Sequence, residues 1–153
     1  MNLSKLVTSS LVVAAVAATP IAALAADAVH STVGVGGYDL VSYQTGKKPL
    51  PGNGNHLTVH DGVTYLFASE GNEATFAADP KRYLPAYGGW CAFGVSVGKK
   101  FVGDPNVWEV VDGRLYLNLD NSIKTMWLED VPGNIAKAEK NWPKIRNSDP
   151  ATL

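Results

Sequence analysis

The sequence predicts an α+β fold: two β-hairpin-plus-helix units form a small antiparallel sheet with helices packed on it, followed by a C-terminal helix. Residues 57–67 and 108–118 lead to this prediction. Each segment places strand-forming residues on both sides of an Asp-Gly pair, which is typical of a two-residue hairpin turn. A residue able to cap a helix follows each hairpin, at Ser69 and at Asp120.

The two hairpin segments also resemble each other. Residues 59–66 match residues 110–117 at an offset of 51 positions, from Val59 to Val110. The same offset aligns the two potential caps and aligns Phe76 with Trp127. Duplication of one unit and chance recurrence of an Asp-Gly hairpin both account for this match.

Each element has a local signal. The first helix is predicted from Ser69 to Asp79-Pro80, the second from Asp120 to a point before Pro132, and the last from Asn134 to a stop at Pro143. Their apolar residues are Ala74, Phe76 and Ala77, then Ile123, Met126 and Trp127, then Ile135, Ala138 and Trp142. The second hairpin is predicted to have a core face and a wetter face. The core face holds Trp108, Val110, Leu115 and Leu117, and the wetter face Glu109, Val111, Arg114 and Tyr116.

Residues 1–25 have the features of a cleavable signal peptide, with Lys5 before an apolar stretch and a small-residue exit at Ala23-Leu24-Ala25. This signal predicts a periplasmic or secreted protein. Residues 26–35 are predicted to be a flexible lead-in, 36–145 one domain, and 146–153 a flexible tail.

The composition limits the possible functions. The chain of 153 residues has 13 basic and 14 acidic residues, so it lacks the basic surface that nucleic-acid binding requires. No apolar run after the signal is long enough for a membrane span, and we expect no stable membrane insertion once the signal is removed. The single cysteine, Cys91, excludes an intramolecular disulfide.

Four motifs are similar to those of a known family: residues 37–43, residues 65–83, residues 87–92, and the ending 131–135 with 141–143. Together they resemble the exported single-domain members of the YHS domain family, over residues 36–145. The resemblance implies a binding module, not an enzyme, and a soft metal such as copper as its ligand. In the metal-linked relatives a cysteine pair follows a strand, but here Ala68 and Asn72 stand at those two positions. The paired-thiolate site is therefore absent.

Cys91 is the first candidate for chemistry. Glycines and aromatics surround it, and we expect a tight turn that presents its sulfur as a copper ligand. Two alternatives remain: a thiol redox accessory that uses Cys91, and a structural or partner-binding domain in which Cys91 only packs. The expected partner is accordingly a metal ion or another periplasmic protein.

The remaining candidates are aromatic and histidine side chains. A small pocket is predicted from Tyr38, Tyr43, Tyr87 and Trp90, although core packing explains these residues equally well. His56 and His60 cannot share one ion, because four residues along a strand separate side chains by about 13 Å. A histidine at the third position of a chain can form a square-planar Cu(II) or Ni(II) site with backbone nitrogens. His30 would occupy that position only if the signal peptide were cleaved after Asp27. The glycines of residues 34–37 lack the flanking strand and helix of a phosphate-binding loop, and a simple bend is predicted.

Overall fold

The structure, a computed structural model, describes residues 33–45 and 47–153. The expectations for the signal peptide, for His30 and for most of the lead-in lie outside the described residues. The described chain contains four strands and five α-helices. The strands are β1 (Asn53–His60), β2 (Val63–Phe67), β3 (Asp104–Val111) and β4 (Arg114–Asn118). The helices are α1 (Glu70–Ala78), α2 (Pro80–Tyr83), α3 (Ala92–Ser96), α4 (Asn121–Leu128) and α5 (Val131–Ile145).

Both predicted hairpins are present, and the α+β class is confirmed. β1 pairs with β2 and β3 with β4, each pair as an antiparallel two-stranded sheet. The turn residues all have positive φ, at 49° and 77° for Asp61 and Gly62 and at 50° and 76° for Asp112 and Gly113. These angles define type I′ turns, which Asp-Gly favours because glycine adopts positive φ without strain.

The predicted caps act as caps. Ser69 Oγ accepts a hydrogen bond from the Asn72 amide at 3.2 Å, and Asp120 Oδ1 accepts one from the Ile123 amide at 2.8 Å. Each bond satisfies an amide that has no partner within the first helical turn. α1 and α4 therefore begin where the sequence predicts.

The predicted limits of the last helix are wrong at both ends. α5 begins at Val131 and not at Asn134, because Asp130 caps it and Pro132 lies in the first turn, where a proline removes no helical hydrogen bond. Pro143 does not end the helix, which continues to the buried Ile145. Packing of the last turn therefore outweighs the helix-breaking tendency of that proline.

Two clusters of buried side chains form the core, and β4 belongs to both. Leu115 and Leu117 pack in the first cluster, with β2 and α1, while Tyr116 packs in the second, with α3, α4 and α5. The wetter face predicted for this hairpin is therefore wrong at Tyr116, which is 4% exposed. Trp127 of α4 covers it, with ring centroids 5.5 Å apart.

The ordered contacts of the domain extend beyond residues 36–145. Val33 forms a parallel bridge with Thr64 at the outer edge of β2. On the C-terminal side, the buried Lys100 ammonium donates to the carbonyl oxygens of Arg146 at 3.2 Å and Ser148 at 2.8 Å. Val33 of the predicted lead-in thus contacts the first hairpin, and residues of the predicted tail contact the loop between α3 and β3.

Candidate functional site

Two left-handed turns lead into the two hairpins. The first is Gly34–Gly37 and the second is Ala86–Gly89. In each turn a residue other than glycine has positive φ, 51° at Val35 and 56° at Tyr87, and two glycines with positive φ follow. The bend predicted for residues 34–37 is therefore a specific backbone conformation that occurs twice.

The same backbone hydrogen bonds attach each turn to its hairpin. Three hydrogen bonds of the first repeat have counterparts of similar length in the second, and each repeat has one isolated β-bridge. In the first they are Tyr38 N to Val35 O at 3.1 Å, Asp39 N to Leu50 O at 2.9 Å, and Gly52 N to Gly37 O at 2.8 Å, with a Tyr38–Pro51 bridge. In the second they are Trp90 N to Tyr87 O at 3.2 Å, Cys91 N to Phe101 O at 2.8 Å, and Gly103 N to Gly89 O at 3.2 Å, with a Trp90–Val102 bridge. The repeat therefore comprises turn, hairpin and helix, which a chance recurrence of Asp-Gly turns does not explain.

A cavity of about 400 Å³ lies between the two left-handed turns, and residues of both turns line it. Tyr65 of β2 and Trp90 contribute aromatic side chains, and Val63, Val102 and Leu117 contribute apolar ones. None of the described residues that line the cavity carries a charge. Its size falls in the range of sites for small organic molecules, roughly 300–1,000 Å³.

Glycines make the walls of this cavity possible. A Cβ at Gly34 would overlap the Tyr65 ring, and one at Gly103 would lie 2.5 Å from Leu117 Cβ and 2.8 Å from the Gly89 carbonyl oxygen. Larger residues would push the hairpins away from the turns. The backbone itself therefore forms part of the wall.

Cys91 lies at the N-cap of α3 and is fully buried. Its sulfur accepts a hydrogen bond from the Gly94 amide at 3.4 Å, and its thiol donates to Asn118 Oδ1 at 3.7 Å. Burial raises the pKa of the thiol, outweighing the backbone amides that lower it. The sulfur is thus a neutral, hydrogen-bonded group inside the protein, and it does not line the cavity.

The buried Asp39 carboxylate holds together the segment around Ala68 and Asn72. Asp39 is fully buried, and its Oδ2 accepts hydrogen bonds from the Ala68 amide at 2.9 Å and from Asn72 Nδ2 at 2.6 Å. Its Oδ1 accepts from the Val41 amide at 2.9 Å and the Ser42 amide at 3.3 Å. The Asp39 carboxylate therefore joins the segment after the first turn to the end of β2 and the start of α1.

The histidines lie on β1 as predicted, and each is near an acidic side chain. His56 Nδ1 is 3.8 Å from Glu73 Oε2, and His60 Nε2 is 3.5 Å from Asp61 Oδ2. Within the described part of the chain, no three His, Cys, Asp or Glu side chains come close enough together to hold a metal ion.

The four aromatic residues predicted to form a pocket lie in different places. Trp90 lines the cavity, whereas Tyr38 packs against the first core cluster. The Tyr43 hydroxyl donates to the Pro105 carbonyl oxygen at 2.8 Å, and the Tyr87 hydroxyl donates to Glu139 Oε1 at 3.1 Å. Tyr43 and Tyr87 belong to opposite core clusters, so they do not share a pocket with each other.

Three important residues are absent from the sequence-based candidates: Tyr65 in the cavity wall, Asp39 in the first repeat, and Lys100, whose ammonium lies 4.7 Å from the centre of the Trp90 ring. A signal for one of them, Asp39, exists in the sequence. Toward the N-terminus, an offset of 52 positions, one more than in the hairpins, aligns Gly36-Gly37-Tyr38-Asp39 with Gly88-Gly89-Trp90-Cys91, which pairs Asp39 with Cys91 and Tyr38 with Trp90.

In the described ranges, no helix combines the length and apolar character required to cross a bilayer. Comparisons with protein-family models, with curated proteins and with solved structures give no match. The site therefore has to be interpreted from its own geometry.

Proposed function

We propose that this protein is an exported binding module of the YHS type that takes a small organic ligand in the cavity between its two repeats. The supporting observation is the cavity itself: about 400 Å³, apolar, and bounded by the equivalent turns of both repeats. Apolar concave sites of this size are where proteins usually bind small molecules. The signal-like residues 1–25 support a periplasmic or secreted location.

Backbone strain next to the cavity supports the same proposal. Val35 is β-branched, yet it lines the cavity with φ of 51°, a conformation unfavourable by roughly 1–3 kcal/mol for such a residue. Strain of this kind persists where the surrounding structure imposes it, and it is concentrated at binding sites. The strained turn places Val35 and Gly36 in the wall.

The alternatives based on Cys91 have weaker support. A copper ligand or a redox thiol requires an accessible sulfur that ionises readily, whereas Cys91 is fully buried with a raised pKa. The hydrogen bonds of the sulfur to α3 and β4 favour the packing role. A structural or partner-binding domain without a small ligand remains the competing proposal, and it predicts an empty cavity.

A fluorescent probe distinguishes these two proposals. N-phenyl-naphthylamine is apolar and fluoresces strongly only out of water, so titration with it should give a saturable signal. Val102, at the cavity edge, is 72% exposed and tolerates a larger side chain, so Val102→Trp should block the entrance and weaken binding at least tenfold. Val59→Trp is the matched control, because Val59 is 62% exposed on β1 and does not line the cavity. No saturable binding, or equal binding by both variants, would refute the proposal.

A further inference from the structure

We infer that the ligand of this cavity is an uncharged, flat, ring-based molecule that carries one hydrogen-bonding group, which meets the Tyr65 hydroxyl. This inference rests on the proposed function and adds the chemical class of the ligand. Three properties of the wall lead to it: its lack of charged side chains, the bare glycine backbone and aromatic side chains that a flat molecule can contact, and Tyr65 as the one hydroxyl among its side chains.

The wall excludes a charged ligand. The described residues that line the cavity are glycines, prolines, valines, a leucine and two aromatics, with no side chain able to neutralise a carboxylate, phosphate or ammonium. The Lys100 ammonium, which lies over the Trp90 ring, already donates to two backbone carbonyl oxygens. A charged group in the cavity would lose hydration without gaining an oppositely charged side chain, which is unfavourable.

The shape of the wall favours a ring. Glycines of both turns, such as Gly36 and Gly88, present bare backbone to the cavity, so a flat molecule can approach it closely. Trp90 adds an aromatic surface. Its position is restrained because the Lys100 ammonium lies over its ring at 4.7 Å. Aromatic rings and peptide planes stack well against flat apolar molecules.

Tyr65 supplies the polar contact. Its side chain is 8% exposed, and its ring packs on Phe76 with centroids 5.2 Å apart. The Tyr65 hydroxyl has no hydrogen-bond partner among residues 33–45 and 47–153, and burial raises its pKa, with a smaller effect from Asp61. The group therefore stays neutral at physiological pH and is available to a ligand as donor or acceptor.

The first experiment tests charge with two probes that share a ring system. Anilinonaphthalene sulfonate is N-phenyl-naphthylamine with an added sulfonate. We expect the wild-type protein to bind the uncharged probe at least tenfold more tightly, with the Val102→Trp variant as the control for binding outside the cavity. Equal or tighter binding of the sulfonate, still sensitive to Val102→Trp, would overturn the inference and leave the proposed function intact. Loss of the signal for both probes would refute the proposed function itself.

The second experiment tests the hydrogen bond. Tyr65→Phe keeps the ring that packs on Phe76 and Gly34 and removes only the hydroxyl. Naphthol and naphthalene are both uncharged and flat, and each can be measured by displacement of N-phenyl-naphthylamine. The variant should bind naphthol about threefold to tenfold more weakly than the wild type and naphthalene with unchanged affinity. Unchanged affinity for naphthol, or an equal loss for both compounds, would overturn the assignment of Tyr65.

Discussion

Asp39 and Cys91 occupy equivalent positions in the two repeats, and each side chain caps the helical turn that follows it. Asp39 Oδ1 accepts from the Ser42 amide at 3.3 Å, and Cys91 Sγ accepts from the Gly94 amide at 3.4 Å, three residues further on in both cases. Asp39 also accepts from the amide of Ala68 after β2, and the Cys91 thiol donates to Asn118 Oδ1 at the end of β4. The thiol therefore has the same structural role as the carboxylate.

Asp39 should be essential for stability. Asp39→Asn keeps the shape of the side chain but replaces one acceptor oxygen with an NH₂ group that faces hydrogen-bond donors. We expect a loss of at least about 2 kcal/mol in the free energy of unfolding, measured by urea denaturation, because bonds to a buried charged acceptor are strong. The control is Asp61→Asn, since Asn-Gly suits the same type I′ turn. Equal stability of the two variants would contradict the role of Asp39.

The Cys91 thiol should react slowly in the folded protein. It is fully buried with a raised pKa, so alkylation by iodoacetamide at pH 8 should be at least about a hundredfold slower than in urea. Rapid alkylation of the folded protein would contradict the buried position.

The free energy of unfolding should also change with pH because of Cys91. Because the folded pKa lies above the ordinary value of 9.0, the contribution of the neutral thiol is present below pH 9 and is lost as the pH rises through the folded pKa. Cys91→Ala should therefore reduce the fall in the free energy of unfolding at alkaline pH, and an unchanged fall would contradict the raised pKa.

Gly103 should tolerate no side chain. The Cβ of an alanine would lie 2.5 Å from Leu117 Cβ, so Gly103→Ala should lower the free energy of unfolding by about 1–3 kcal/mol through overpacking. It should also weaken binding of N-phenyl-naphthylamine, because Gly103 lines the cavity. At Gly54, a Cβ would meet nothing within 4 Å, and Gly54→Ala is the matched control. A neutral Gly103→Ala would show that the turn and the hairpin do not pack as described.

Lys100 should stabilise the C-terminal segment. Lys100→Met keeps the length of the side chain but removes the ammonium that donates to Arg146 and Ser148, and we expect a loss of about 1.5–3 kcal/mol in the free energy of unfolding. The neighbouring Lys99 is exposed, so Lys99→Met should change stability little. Faster hydrogen exchange of the amides after Ile145 in the Lys100 variant alone would locate the effect. The same exchange rates in both variants would show that Lys100 does not stabilise the C-terminal segment.

The hairpins and caps could be predicted from the sequence because local chemistry determines them. Asp-Gly turns, Ser69 and Asp120 need only their neighbours to adopt the observed geometry. The extent of α5 and the burial of Tyr116 could not be predicted in this way, because both depend on packing between distant elements.

Apart from Trp90, the cavity wall could not be predicted from the sequence, for a different reason. It forms where two glycine turns meet, and the first of them has the local sequence of an ordinary bend. A glycine in the sequence shows that the backbone can adopt positive φ there, but it does not show which distant residues will pack against the turn. A repeat alignment that includes both turns pairs Trp90 with Tyr38 of the first repeat. This equivalence is the one feature of the sequence that relates Trp90 to the first turn.

Because successive residues of β4 point into opposite clusters, the two repeats share one strand and should lose their structure together. Unfolding followed by tryptophan fluorescence and by far-ultraviolet circular dichroism should give coincident two-state transitions. The half of the chain that contains β1 and β2 lacks Leu115 and Leu117, so on its own it should remain largely unfolded despite carrying a complete copy of the unit. We therefore expect the cooperativity of unfolding to depend on β4, so that neither repeat folds independently of the other.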